Sequence, residues 1–121
     1  MNNIQSICVF CASSESVDDL FKDIALELGR ELGRREIDLV YGGASIGLMG
    51  CLARGVHEEK GKVIGVLPDF FKNKDIEYSE ADELIVTQGM RERKAVMDTK
   101  SDAFIVLPGG IGTLEEAMEI L

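Results

Sequence analysis

Between Asp102 and Leu121 the chain reads as a short apolar strand, a glycine-rich turn and the start of a helix, and this order constrains the fold more than any other feature. Residues 103–107 are all apolar, as in a strand covered on both faces of a parallel sheet. Pro108 ends that run, and Gly109, Gly110 and Gly112 let backbone N–H groups approach a ligand closely. Thr113 follows at the N-cap of a helix whose first amides have no partner within the helix. A phosphate placed there meets those donors and the positive end of the helix dipole. The segment points to anion binding in an α/β fold.

The rest of the chain keeps the same rhythm. Strands are expected at residues 4–10, 37–41, 62–67, 83–87 and 103–107. Helices are expected at 17–35, from the Gly42 turn to about residue 60, at 90–100, and from Thr113. In the first helix Leu20, Phe21, Ile24, Leu28 and Leu32 recur at three- and four-residue steps and define the expected buried face. Residues 69–78 are irregular and charged. Alternation of this kind predicts an α/β, doubly wound (Rossmann-like) parallel sheet with right-handed crossovers and helices on both faces. All strands then end on one edge, where ligands of open α/β sheets bind. With 121 residues and 45% hydrophobic content, one domain over 1–121 is expected. Its last helix stops after about two to three turns, so the domain is expected to lack its C-terminal part.

The turn after the second strand carries Gly42, Gly43, Gly47 and Gly50. It lacks G-x-G-x-x-G spacing and has Leu48 where a P-loop places lysine, so it reads either as a packing turn or as part of a ligand site. In the next informative segment Met90, Arg93, Lys94 and Met97 share one helical face. Two cations on an apolar stripe either border a cleft that holds something negative or snorkel at the helix edge. Arg91 lies off that face and reads as a plain surface charge. Glu116 completes a T-x-x-E capping box with Thr113, which on its own gives the carboxylate a structural role.

The formal charge of −9 disfavours nucleic acid and acidic membranes as partners but leaves room for a small anion at a local basic site. No run approaches the roughly 18 apolar residues of a membrane-spanning helix, and the opening MNNIQSICVF has no signal-like region, so the cytoplasm is the expected compartment. Cys8 and Cys11 form a C-x-x-C, but no second ligand pair accompanies them, and they and Cys51 read as structural thiols. No metal or cofactor is expected. His57, the single histidine, reads as a surface helix residue without a role.

Taken together, CVFCASS, VYGGASIGLMG, MRERK and LPGGIGTLEE closely resemble the LONELY GUY family, often labelled lysine decarboxylase-like, and the resemblance covers nearly the whole chain. It implies a phosphoribohydrolase that releases the base from cytokinin riboside 5′-monophosphates, with AMP as a related substrate, working as a homodimer without a cofactor. The family pattern P-G-G-x-G-T-x-x-E falls on Pro108, Gly109, Gly110, Gly112, Thr113 and Glu116, and its R-K pair on Arg93 and Lys94. By this resemblance Arg93 and Glu116 are the catalytic pair. Asp75, Arg93, Lys94, Gly109, Gly110, Ile111, Gly112, Thr113 and Glu116 bind the nucleotide monophosphate, with additional contacts at Ser13, Gly42, Gly43, Ser45, Gly47 and Met90. Ala12 and Ala44 stand where the family commonly has glycine, and Asp75 where a glutamate is usual. A nucleotide or molybdenum-cofactor carrier without turnover is the alternative. A true lysine decarboxylase is the weakest reading, because no segment presents a lysine suited to a Schiff base with pyridoxal phosphate.

Overall fold

Alternate residues of the central strands enter two different cores, and this sidedness sets the architecture. Val9, Leu39, Tyr41 and Val63 pack on one side with Ala25 and Leu32, and with Leu48, Leu52, Ala53 and Val56. Cys8, Phe10, Val40, Ile64 and Val66 pack on the other side with Met97. The computed structural model describes residues 3–11, 19–72 and 75–107. In order these form β1 (Ser6–Phe10), α1 (Asp19–Arg34), β2 (Asp38–Tyr41), α2 (Gly47–Glu58) and β3 (Val63–Pro68). A 3-10 turn (Asp69–Phe71), β4 (Glu83–Thr87), α3 (Met90–Thr99) and β5 (Ala103–Val106) follow. Helices α1 and α2 cover the first face and α3 the second, as expected of a doubly wound sheet.

All strand pairs are parallel, in the order β4-β3-β2-β1-β5. Strand β1 lies between β2 and β5, so the winding reverses there and the sheet has its topological switch point between β1 and β5. Phe10 is opposite Val106, and the Leu107 N–H donates to the Phe10 carbonyl at 2.9 Å. Leu107 is therefore held beside the end of β1, at the switch point.

The face that α1 buries is only in part the expected one: Leu32 is buried, and Phe21 and Leu28 pack partly buried against the first core. Its buried residues are Ala25, Gly29, Leu32 and Gly33, while Leu20 and Ile24 are 61% and 45% exposed. The cause is the approach of α2. A Cβ at Gly29 would collide with the Leu52 carbonyl, and one at Gly55 with the Leu26 carbonyl, so the two backbones meet through glycines. A search for large apolar side chains looks past such a seam. The C-x-x-C spacing likewise puts Cys8 and Cys11 in opposite cores, and no disulfide joins them. No helix among the described residues is long and apolar enough to cross a membrane.

Candidate active site

The C-terminal edge of the sheet is organised by the turn between β2 and α2. The buried Tyr41 hydroxyl donates to the Ala44 carbonyl at 3.0 Å and folds the turn back over the strand end. Gly43 has φ +88° and Gly47 φ +60°, backbone that a side chain adopts only with strain. Ile46 supplies no side-chain cap to α2, whose amino end opens onto this edge.

Arg93 comes to the same place from α3. It is 6% exposed, and its Nε–H donates to the Val66 carbonyl near the end of β3 at 3.0 Å. A Cβ added to Gly42 would run into Arg93 Nη2 and lie 2.7 Å from Met49 Cε. Gly42 is thus a close-approach position that seats the guanidinium against the turn. Met97, one turn further along α3, is buried, while Met90 and Lys94 are half-buried and Arg91 is exposed. The helix face that carries both cations is therefore the inward one. Gly89 opens α3 with φ +88°, its carbonyl accepting the Thr87 hydroxyl at 3.1 Å, and Glu92 accepts the Gln88 N–H at 3.2 Å.

Asp75 reaches this edge through the segment that follows the 3-10 turn. The Ile76 carbonyl accepts both the N–H and the hydroxyl of Ser45, at 2.7 and 3.1 Å, and the Tyr78 N–H donates to the Gly43 carbonyl at 2.8 Å. Ala44 and Glu77 form an isolated antiparallel bridge. Asp75 therefore stands beside the glycine turn, exposed, in a left-handed conformation with φ 57°. Ser45, expected among the nucleotide contacts, directs its hydroxyl to this segment. Ser13, Gly109, Gly110, Ile111, Gly112, Thr113 and Glu116 lie outside the described residues. What the structure brings together is Arg93, the Gly42 turn and the Asp75 segment, on the C-terminal edge of the sheet.

Sequence reasoning missed His57. Its Nδ1 lies 2.7 Å from the Tyr78 hydroxyl and its Nε2 2.8 Å from Asp82 Oδ2, which also accepts the Val63 N–H at 2.7 Å. Burial pulls the Asp82 carboxyl upward, but the hydrogen bonds from His57 and Val63 outweigh it and hold the group below its ordinary value. Among the described residues no three His, Cys, Asp or Glu side chains are grouped so as to hold a metal.

The sequence pattern of a family described as "Possible lysine decarboxylase" matches residues 49–121. The chain is 46% identical over 120 residues to a probable cytokinin riboside 5′-monophosphate phosphoribohydrolase of Oryza sativa subsp. japonica, covering 99% of this chain and 49% of the relative. It is 45% identical over 120 residues to a cytokinin riboside 5′-monophosphate phosphoribohydrolase of Arabidopsis thaliana, covering 99% and 53%. The chain thus spans about half the length of these curated relatives. Among solved structures, the molybdenum cofactor binding protein of the phototrophic bacterium Rippkaea orientalis matches with a TM-score of 0.83 and 26% identity, covering 98% of this chain and 71% of that one.

Proposed function

This chain belongs to the family described as possible lysine decarboxylase, and from that membership we propose that it is a nucleoside 5′-monophosphate phosphoribohydrolase acting on AMP or N6-modified AMP. The observation that carries the reading is the buried Arg93 seated on Gly42 at the C-terminal edge of the sheet. The names of the relatives supply the reaction class, hydrolysis of an N-glycosidic bond.

In that reaction the bond between ribose C1′ and the base nitrogen breaks, its electrons leave with the base, and the oxygen of water bonds to C1′. One water proton goes to the base and the products are free base and ribose 5-phosphate. Positive charge builds on the ribose as the bond lengthens, and a carboxylate there stabilises it or orients the water. Glu116 takes that role, and the loop from Gly109 to Thr113 holds the phosphate through Gly109, Gly110, Ile111, Gly112 and Thr113. Arg93, fixed at Nε by Val66, is suited to orienting the nucleotide. Lys94 and Asp75 complete the substrate contacts, with Ser13, Gly42, Gly43, Ser45, Gly47 and Met90 at its periphery. The reading includes a single domain, a homodimer and a cytoplasmic location.

Incubation with AMP and with isopentenyl-AMP, followed by chromatography for adenine and isopentenyladenine, tests the proposal. Release of either base supports it, and intact nucleotide after prolonged incubation contradicts it. The likeness to a molybdenum cofactor binding protein favours a second reading, a carrier that binds its ligand without turnover.

A further inference from the structure

We propose that His57, Tyr78 and Asp82 form a clamp that positions the Asp75 segment and the glycine turn, so that His57 governs nucleotide binding without touching the nucleotide. The inference rests on the phosphoribohydrolase reading for its binding consequence and on the geometry alone for the clamp.

Residues 76–82 run as a strap from one edge of the sheet to the other. At the C-terminal edge the strap is fixed by Ser45 and Gly43, through the Ile76 carbonyl and the Tyr78 N–H. At the N-terminal edge Asp82 brackets Val63, its N–H donating to the Val63 carbonyl at 2.9 Å and its carboxylate accepting the Val63 N–H at 2.7 Å. His57, in the last turn of α2, is the side chain that joins both halves, because one ring nitrogen meets Tyr78 and the other meets Asp82. In the neutral ring the polarity is fixed by the carboxylate. Asp82 can only accept, so Nε2–H donates to it and Nδ1 accepts the Tyr78 hydroxyl. The alternative partner of that hydroxyl, Glu80 Oε2, is 3.5 Å away and is the weaker acceptor site. Tyr78 is 6% exposed and packs in the first core, so the hydroxyl is held by the ring as well as by His57.

Asp75 directly precedes the strap. Its φ of 57° is a left-handed conformation that aspartate tolerates better than most residues other than glycine, and its surroundings help to hold it. The paired Ile76 and Tyr78 backbones do so from one side. Loosening the strap lets Asp75 relax to negative φ, which carries its carboxylate away from the nucleotide edge, and releases the Gly43 carbonyl from the Tyr78 N–H. The effect falls on ground-state and transition-state binding alike, so it raises KM and leaves kcat in place.

The test compares wild type with His57→Leu, His57→Gln and Tyr78→Phe. Glutamine retains one acceptor and one donor, the pair that Tyr78 and Asp82 require, whereas leucine fills the space and removes both. Hydrogen exchange reports the clamp independently of chemistry: the amides of Ser45, Val63, Tyr78 and Asp82 are expected to exchange about ten times faster in His57→Leu and in Tyr78→Phe, while those of Cys8 and Val9 do not change. In base release from AMP, both variants are expected to show a KM raised about tenfold with kcat within about twofold, and His57→Gln to resemble wild type. Should His57→Leu fail to fold, Tyr78→Phe, which keeps the ring, decides the matter. Unchanged exchange at the four amides overturns the proposal, as does faster exchange with an unchanged KM. If wild type itself releases no base, the phosphoribohydrolase reading fails, and the exchange pattern still decides for or against the clamp.

Discussion

Gly42 lies so close to Arg93 that a single methyl group at this position would occupy the space of the guanidinium Nη2. The finding joins two segments whose connection is invisible in the sequence, a turn after β2 and the first turns of α3. It also gives Gly42→Ala a specific outcome. The side-chain ends of Arg93 and Met49 can move, so the fold survives, but the guanidinium shifts by about an ångström from its seat. A shift of that size is expected to lower kcat/KM for AMP by roughly 10- to 100-fold, with little change in the far-ultraviolet circular dichroism spectrum.

Arg93→Lys is expected to behave as a severe change rather than a conservative one. Lysine keeps the charge but has no Nε–H aimed at Val66 and no planar fork to lie on Gly42. Loss of that charge-assisted hydrogen bond at a buried position costs about 1.5–3 kcal/mol of stability, to be read from urea denaturation, and activity falls with it.

The glycine seam between α1 and α2 makes Gly29→Ala a stability probe far from the site. Its Cβ meets the Leu52 carbonyl, a backbone atom that cannot step aside, so the helices must separate. A loss of about 1–3 kcal/mol in chemical denaturation is expected, while an exposed substitution such as Leu20→Ala has little effect.

Asp102 ties the end of the sheet to its first strand, accepting the Gln5 N–H at 2.9 Å and the Ser6 N–H at 3.1 Å. The Gln5 and Ser6 amides hold its carboxyl below the ordinary 3.8. A group depressed in the fold contributes stability that is present above its unfolded value and lost as pH falls through the folded value. Stability is therefore expected to decline as pH drops below about 4, and Asp102→Asn to flatten that decline in thermal melts recorded across pH 2–6.

Much of the framework was legible because its signals are local. β4 is found at Glu83–Thr87 as expected, and the other strand ends fall within two residues of expectation, since short apolar runs between turn residues admit few alternatives. The inward face of α3 was legible from the same periodicity. The buried face of α1 was legible in part, through Phe21, Leu28 and Leu32, but not where it meets α2, because that contact is made by Gly29 and Gly33, which carry no apolar signal. His57 was missed for a different reason. Its partners Tyr78 and Asp82 are 21 and 25 positions away, in an irregular segment where no period announces a contact. The only available hint was a histidine in a helical last turn followed by a tyrosine and an aspartate before the next strand but one.

Glu116 separates hydrolysis of a nucleotide from its carriage without turnover. The most direct measurement follows free base released from AMP and isopentenyl-AMP by wild type and by Glu116→Gln, with nucleotide affinity of both measured by calorimetry. Hydrolysis predicts release by wild type and a loss of about 100-fold or more in the variant with affinity retained. Tight nucleotide binding by both proteins, with no base released by either, would contradict the proposed hydrolysis.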